Sequence, residues 1–342
     1  RALDLEAQSR AAGFEPERIE MRFGESGQTI FTIPLKGYAE RRWGAPFLQF
    51  HRADLLGVLA DAVMAHPAIQ IEMSARVDSY VQMDESIEVQ LTDGSVFKGD
   101  LLVGADGIHS IVRTQMLGKE APEFTGCIAW RGTIPLDRLQ KNPPPPTACA
   151  WVGRGKHAVT YRLGGERLVN FVGVVEQDRF VDESWSQRGT RDQIKRDFKG
   201  WHPVIQDIID EGDEFFRWGL FGRPELSRWV DQRVALVGDA CHPMLPFLAQ
   251  GAVMAIEDAW VLARSVSADD RLLFESLRAF ERVRKPRCTA VQQGARRNKT
   301  IFHLQNPAFR AGVYGAMKLG SMFTPNVVHA RMNWIYEHDC TQ

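Results

Sequence analysis

The chain reads as an α/β protein: a Rossmann-like parallel sheet, interrupted by an inserted antiparallel-sheet domain and followed by a helical C-terminal tail. Three observations predict this. Leu101–Arg113 (LLVGADGIHSIVR) and Arg233–Ala263 (RVALVGDACHPMLPFLAQGAVMAIEDAWVLA) each run a short apolar strand into a Gly/Asp turn and then a helix. That is the pattern of parallel strands whose C-terminal edge meets a helix N-terminus. Between them, Ala148–Val152, Ala158–Leu163 and Leu168–Val175 alternate with period two, as antiparallel strands do. From Gly251 onward the pattern is almost wholly helical. The expected boundaries are 1–122 and 218–270 for the two parts of the parallel-sheet domain, 123–217 for the insert and 271–342 for the helical region.

The elements follow in order. Leu3, Leu5, Ala7, Ala11 and Ala12 before Gly13 read as the end of a helix with a glycine cap. Ile19–Phe23 and Thr29–Pro34 flank the Gly24–Gly27 turn and predict a hairpin. Phe47–His51 is a short strand leading into the helix Arg52–His66, with Leu55, Leu56, Leu59, Ala62 and Val63 on one face. Ile69–Met73, Arg76–Met83 and Ile87–Leu91 follow as strands. Leu101–Gly104 is wholly apolar and is expected to be covered on both faces. KNPPPP at Lys141–Pro146 is a stiff surface connector. Thr190–Phe198 and Val204–Ile209 are helical, Arg233–Val237 returns to a buried parallel strand, and Gly251–Arg264 and most of Leu272–Thr300 are helices.

Composition excludes several functions. Forty-two basic and forty-three acidic residues leave no field for a phosphate backbone, so nucleic acid is not an expected partner. The basic run from Arg282 to Lys299 is interleaved with apolar residues at helical spacing, as on a solvated helix face. Five scattered cysteines without a C-x-x-C pair argue against a disulfide framework or zinc site and fit a reducing cytoplasm. No apolar run approaches the ~20 residues needed to span a membrane.

Several residues carry chemistry. In Gly104-Ala105-Asp106-Gly107-Ile108-His109-Ser110, the glycines allow close backbone approach and Ser110 can cap the next helix, with Arg113 one turn further on. Asp239 closes a buried strand, where a carboxylate needs a partner such as a ligand hydroxyl. Gly251 and Ala252 open a helix whose positive end suits a negative ligand. Gly153-Arg154-Gly155-Lys156-His157-Ala158 formally matches G-x-G-x-x-[GA], with Glu176 about twenty positions on. A strand follows it instead of a helix, so it is a hairpin turn that delivers His157 and Tyr161 to one strand face. Cys241-His242 lacks further ligands at metal-site spacing.

Taken together, Leu101–Arg113 and Val237-Gly238-Asp239-Ala240 with its H-P-x-x-P-x-x-A-Q-G-A-x-x-A-x-E-D-A continuation resemble the second and third fingerprints of the single-component flavoprotein aromatic hydroxylases. Phe50-His51-Arg52-Ala53-Asp54-Leu55 is similar to that family's H-R-x-D-L element. The branch with salicylate hydroxylase, 3-hydroxybenzoate 6-hydroxylase and 6-hydroxynicotinate 3-monooxygenase is also matched at Gly126–Gly132, Gly200–Pro203 and around Arg296–Leu304. The resemblance implies an FAD/NAD(P)-binding sheet, a substrate domain in the insert and a place in aromatic catabolism. The implied reaction is hydroxylation of an aromatic (hydroxy)carboxylic acid with NADH or NADPH and O2 through a C4a-hydroperoxyflavin; a homodimer is the expected assembly. It assigns the ribityl chain to Asp239 and the diphosphate and nicotinamide regions to Asp106 and Arg113. It assigns the isoalloxazine to Gly251 and Ala252, with Arg52 reaching the flavin and the backbone of Val77 meeting the adenine. The loop from Pro243 to Pro246 resembles the proline loop that lines the family's reaction cavity. His157 and Tyr161 match the pocket pair of hydroxybenzoate and hydroxynicotinate enzymes, where a histidine titrating near neutrality can draw a phenol proton.

The resemblance departs at the front. The family opens with a strand, a G-x-G-x-x-G turn, a helix and a second strand ending in an acidic ribose ligand, and the sequence before the Gly13 region contains none of these. The expectation is therefore an N-terminally truncated piece, without its first βαβ unit and inactive by itself. Two rival readings are an epoxidase or reductase of the same superfamily and a non-catalytic fragment that binds no FAD. Yellow colour in the purified protein separates the last from the rest.

Overall fold

A computed structural model describes residues 1–165, 167–178, 188–267 and 272–342. They form two compact units, one of Arg1–Gln70, Gly126–Leu220 and Thr300–His338, the other of Ile71–Thr125, Phe221–Lys299 and Asp339–Gln342.

The first unit is built on an eight-stranded sheet. Its strands run in the spatial order Arg188–Gly189, Phe215–Gly222, Glu123–Pro135, Leu168–Glu176, Lys156–Leu163, Ala148–Gly153, Arg18–Phe23 and Thr29–Pro34. Arg18–Phe23 lies parallel to Ala148–Gly153 and antiparallel to Thr29–Pro34, which is the expected hairpin. The register pairs Trp130 with Gly173, and Phe171 with both Gly132 and Thr160, so these residues share one face. That face is packed by the helices Arg191–Asp197 and Pro203–Glu211, whose Ile194, Ile205, Ile208 and Ile209 are fully buried. The Phe171 ring meets Phe198 and Phe215 edge-on, at 5.6 and 5.9 Å. The Trp130 indole donates to Asp197 at 2.7 Å, which satisfies the one polar atom of a fully buried side chain. The opposite face carries His157, Val159 and Tyr161, with Val174, Val172 and Asn170 as their cross-strand partners.

The second unit contains an antiparallel meander, Val77–Gln82, Ile87–Leu91 and Val96–Gly99, and a separate three-stranded sheet. In the latter Val234–Leu236 runs parallel to Leu102–Gly104 and antiparallel to Val230–Asp231. Val234, Ala235 and Leu236 are fully buried and lie in a core with Trp229, Phe280 and Val291. A Cβ on Gly104 would stand 2.8 Å from Leu236 and 2.9 Å from Val112, so only glycine lets the helix Ile111–Leu117 lie so close on the strand. All five cysteines are free; Cys127, Cys149, Cys241 and Cys288 are buried.

Several expectations are corrected. Phe47–His51 forms no strand but a single bridge, Gln49 to Phe14. Ile69–Met73 alternates correctly yet pairs with nothing described, and Ile69, Ile71 and Met73 are exposed. The helix Arg52–Met64 forms as read but buries none of its residues, and Leu56 is 62% exposed. Apolar side chains surround that helix, so no single face can take them all. Leu102–Gly104 is covered on one face only, because Val103 points away from the helix Ile111–Leu117 and is exposed.

Phe171→Ala should destabilise the protein by about 3–5 kcal/mol, the range for truncating a buried aromatic ring. Urea unfolding followed by tryptophan fluorescence checks this; a loss under ~1 kcal/mol would mean that the sheet-to-helix core is not packed as described.

Candidate active site

In the second unit, Leu102 pairs with Val234, Val103 with Ala235 and Gly104 with Leu236, all parallel. The Val237 amide continues the ladder to the Gly104 carbonyl at 3.0 Å. Asp106 and Asp239 therefore leave the sheet at the same C-terminal edge, where doubly wound sheets bind their ligands.

The two helix N-termini beyond that edge differ. Asp106 Oδ2 accepts from the amides of Ile111 and Val112 at 2.8 and 3.2 Å, and Ser110 Oγ accepts from the Arg113 amide at 2.8 Å. Ser110 caps the helix as expected, and with Asp106 it fills this N-terminus from its own chain, so that the carboxylate opposes a phosphate at the same spot. Arg113 is buried and donates to the carbonyls of Ile108 and Ala240, tying the two loops together. Burial lowers its guanidinium below the ordinary value, and Arg223 nearby adds to this. By contrast, the helix Gly251–Val266 has no side-chain cap. Its first amides have no partner within the helix and face a positive dipole end outward. A Cβ on Gly251 would touch nothing within 4 Å, so a flat ligand has room there.

Asp239 sits in the single turn Gly238–Ala240 and is exposed, which corrects the expectation of a buried carboxylate. Gly238 takes φ +57°, and this left-handed step turns Asp239 out of the strand. Beneath it lies a buried network that the E-D-A signature contains but that carried no assigned role. Asp258 Oδ2 accepts from the Gly238 amide at 3.0 Å and pairs with His242 Nε2 at 2.5 Å. Arg284 donates Nε to Asp258 Oδ1 at 2.8 Å and Nη1 to Glu257 Oε2 at 2.5 Å. Arg287 grips both oxygens of Glu257, at 2.7 and 2.9 Å. Burial alone would raise the Asp258 carboxyl; the bond and charge of His242, the Gly238 amide and Arg284 outweigh it and hold the group below its ordinary value. Cys241, His242 and Asp258 also come close enough to hold a metal ion. The Arg284 cation on Asp258 opposes one, as does the Cys241 thiol, which burial and then Asp258 push well above its ordinary value.

Pro246 opens the turn Pro246–Leu248, and Ala249 follows at φ +53°. The prolines' loop, through Pro243 and Leu245, lines a cavity of about 560 Å³ with Phe124, Arg223, Arg296 and Lys299. The same cavity is also lined by Glu123 and Glu225, so cations and carboxylates both face it. Val77 begins the first strand of the meander and is half-buried.

The remaining expected residues belong to the first unit. Arg52 is the first, exposed residue of its helix. His157 and Tyr161 share a strand face as read, but their settings differ. His157 is 2% exposed and bonded through Nδ1 to His303 Nε2 at 2.7 Å. Burial, helped by His303, holds it well below its ordinary value, so it does not titrate near neutrality as expected. Tyr161 is half-buried, bonded to Asn170, and raised by burial despite the Arg131 charge. Asn170 is buried with no hydrogen bond on Nδ2. His303 and Glu176 went unassigned in the sequence reading; only the position of Glu176 after the G-x-G-x-x-A turn drew notice to it.

Arg284→Met should destabilise the protein by about 3–5 kcal/mol, because it strands Asp258 and Glu257 as buried charges. Because the folded Asp258 carboxyl is depressed, its contribution is present above the ordinary carboxylate value and disappears as pH falls through the folded one. Urea titrations from pH 7 downward check both points; equal stability of variant and wild type at pH 7 would contradict the network.

The profile of the family described as "FAD binding domain" matches residues 8–294. A 6-hydroxynicotinate 3-monooxygenase of Bordetella bronchiseptica is 32% identical over 312 residues, covering 90% of this chain and 80% of that protein. 3-hydroxybenzoate 6-hydroxylase 1 of Aquipseudomonas alcaligenes is 32% identical over 343 residues, covering 98% and 84%. Among solved structures, Klebsiella pneumoniae HpxO complexed with FAD and uric acid superposes with a TM-score of 0.81 at 26% identity, covering 94% of this chain and 81% of that one. With a family profile along most of its length and relatives above 30% identity along nine-tenths of it or more, the chain belongs to the FAD-binding-domain family of flavin-dependent monooxygenases.

Proposed function

We propose that this enzyme hydroxylates an aromatic (hydroxy)carboxylic acid such as salicylate, a hydroxybenzoate or a hydroxynicotinate, with FAD as cofactor and NADH or NADPH and O2 as co-substrates. The observation that carries the cofactor assignment is the shared edge of Leu102–Gly104 and Val234–Leu236, with Asp106 and Asp239 beyond it and an uncapped helix at Gly251. Asp239 would accept from ribityl hydroxyls, and the amides of Gly251 and Ala252 would face the isoalloxazine, where the helix dipole favours negative charge. Arg52 would reach the flavin, Val77 would meet the adenine through its backbone, and Pro246 would border the ring. Bound FAD supplies the oxygen chemistry; the protein binds, orients and excludes water.

The substrate ring would lie against His157 and Tyr161. Both are neutral: burial lowers the imidazole and raises the phenol. A neutral imidazole can accept the substrate's phenolic proton and so make the ring electron-rich, while Tyr161 orients it. Four of the five cysteines are buried thiols, and no described helix is long and apolar enough to cross a membrane. A cytoplasmic setting fits the free thiols.

Asp239→Ala in the FAD-loaded enzyme should weaken flavin binding by about 10- to 100-fold, the loss expected for a charged hydrogen-bond acceptor, while the fold persists. Flavin absorbance after gel filtration reads this, and full occupancy would show that Asp239 does not hold the cofactor. His157→Ala should leave flavin binding intact but slow hydroxylation by ~10²-fold, the lower end for a positioned acid–base group. Oxygen consumption driven by NADH should then continue with hydrogen peroxide as product. An unchanged ratio of product to NADH oxidised would remove His157 from the reaction.

A further inference from the structure

In the first unit, the helix Pro307–Phe323 packs against the strand Thr29–Pro34 at the edge of the eight-stranded sheet. Asn306 caps it, accepting from the amides of Ala308 and Phe309 at 3.0 and 3.1 Å, and Pro307 opens it. Tyr314 is buried in a core with Met21, Ile30, Val152 and Leu304, and its hydroxyl donates to the Ile301 carbonyl at 2.7 Å. Arg310 lies over the rings of Phe23 and Tyr314, and Ser321 Oγ accepts from the Thr32 amide at 3.3 Å. The inward face is thus anchored from end to end.

The outward face is apolar and uncovered. Phe309, Gly312, Ala316, Leu319, Met322 and Phe323 are exposed, and Lys318 is the only exposed residue of the helix with a polar side chain. Phe309, Gly312, Ala316, Leu319 and Phe323 recur at spacings of three and four, which makes one seam about 21 Å long at 1.5 Å per residue. Its four large side chains keep between 57% and 72% of their surface in water. At roughly 100 Å² each, they and the small residues between them expose on the order of 600 Å² of apolar surface, as much as the largest patch on an ordinary monomer. Two such faces together come to about 1,200 Å², where specific, stable protein interfaces begin.

The seam is also complementary to itself. About a twofold axis at Ala316, Phe309 of one protomer falls opposite the partner's Phe323, and Ala316 falls opposite its own copy. Gly312 and Ala316 keep the middle slim, where two crossing helices come closest; the large rings stand at the ends, where crossing helices diverge and leave room for them. A lipid surface fits less well, because a helix lying in lipid flanks its apolar face with several cations, and here Lys318 alone is exposed.

We propose that this face is the interface of a homodimer, in which the helices Pro307–Phe323 of two copies cross at Ala316. The interface is made of first-unit residues alone and is independent of which ring the enzyme hydroxylates.

Sedimentation velocity of the full chain reads the assembly. Wild type should be a dimer at about 10 μM, and Ala316→Glu, which sets two unpaired carboxylates on the axis, should raise the dissociation constant at least ~100-fold. Residue 316 is exposed in the protomer, so circular dichroism should not change. Phe309→Ser combined with Phe323→Ser should dissociate the dimer without adding charge. Mild oxidation should link two copies of Ala316→Cys, whereas wild type and Lys318→Cys, on the far side of the helix, should stay unlinked. A wild type that is monomeric at ~100 μM, a dimer that survives Ala316→Glu, or a link formed by Lys318→Cys and not by Ala316→Cys overturns the interface. So does a monomer that floats with phosphatidylcholine vesicles and no longer does so as Phe323→Ser, an outcome that gives the face to lipid.

Discussion

The Arg284 guanidinium between Asp258 and Glu257 is the interaction on which the second unit depends. Its burial would be costly were its charge not met by two carboxylates and its remaining donors not directed at the Met254 carbonyl and the sulfurs of Met254 and Cys288. Asp258, held by this cation, in turn holds the Gly238 amide and His242. The left-handed turn that exposes Asp239 is therefore set from below, by buried charges. The buried acid shapes the loop, and the neighbouring acid on that loop is exposed. Arg113 adds a second restraint by fastening the Ala240 carbonyl to the loop that carries Asp106.

Much of this was legible from the sequence because the signals were local. Apolar strands ending at Gly104 and Val237, the serine cap at Ser110 and the hairpin at Gly155 each follow from residue type and spacing. What was not legible depended on partners distant in the chain. Ile69–Met73 has the period of a strand, but a strand exists only where a ladder accepts it. The thirteen-residue strand Glu123–Pro135 was missed because Gly126 and Gly132 interrupt its pattern, although Gly132 is there to admit Phe215.

The site shows the same division. That His157 and Tyr161 face one way follows from strand geometry, but the imidazole's burial does not, because His303 arrives from 146 positions away. Without that neighbour a histidine on a hairpin strand reads as a near-neutral base. With it, the ring is buried against a second imidazole and held well below its ordinary value. Asp258 was hidden differently: it stood inside a recognised motif, and nothing in a linear pattern distinguishes an acid that faces a ligand from one that faces an arginine.

The buried thiols bear on how the enzyme survives its own reaction. An oxygen-activating flavoprotein that turns over without transferring oxygen releases hydrogen peroxide beside its own polypeptide, and the species peroxide attacks is the thiolate. Burial, reinforced by Glu20 at Cys149 and by Asp258 at Cys241 and Cys288, keeps these sulfurs protonated far above neutral pH. Acids that shape loops and strands thus also help to hold three buried sulfurs in the thiol form, which peroxide attacks least.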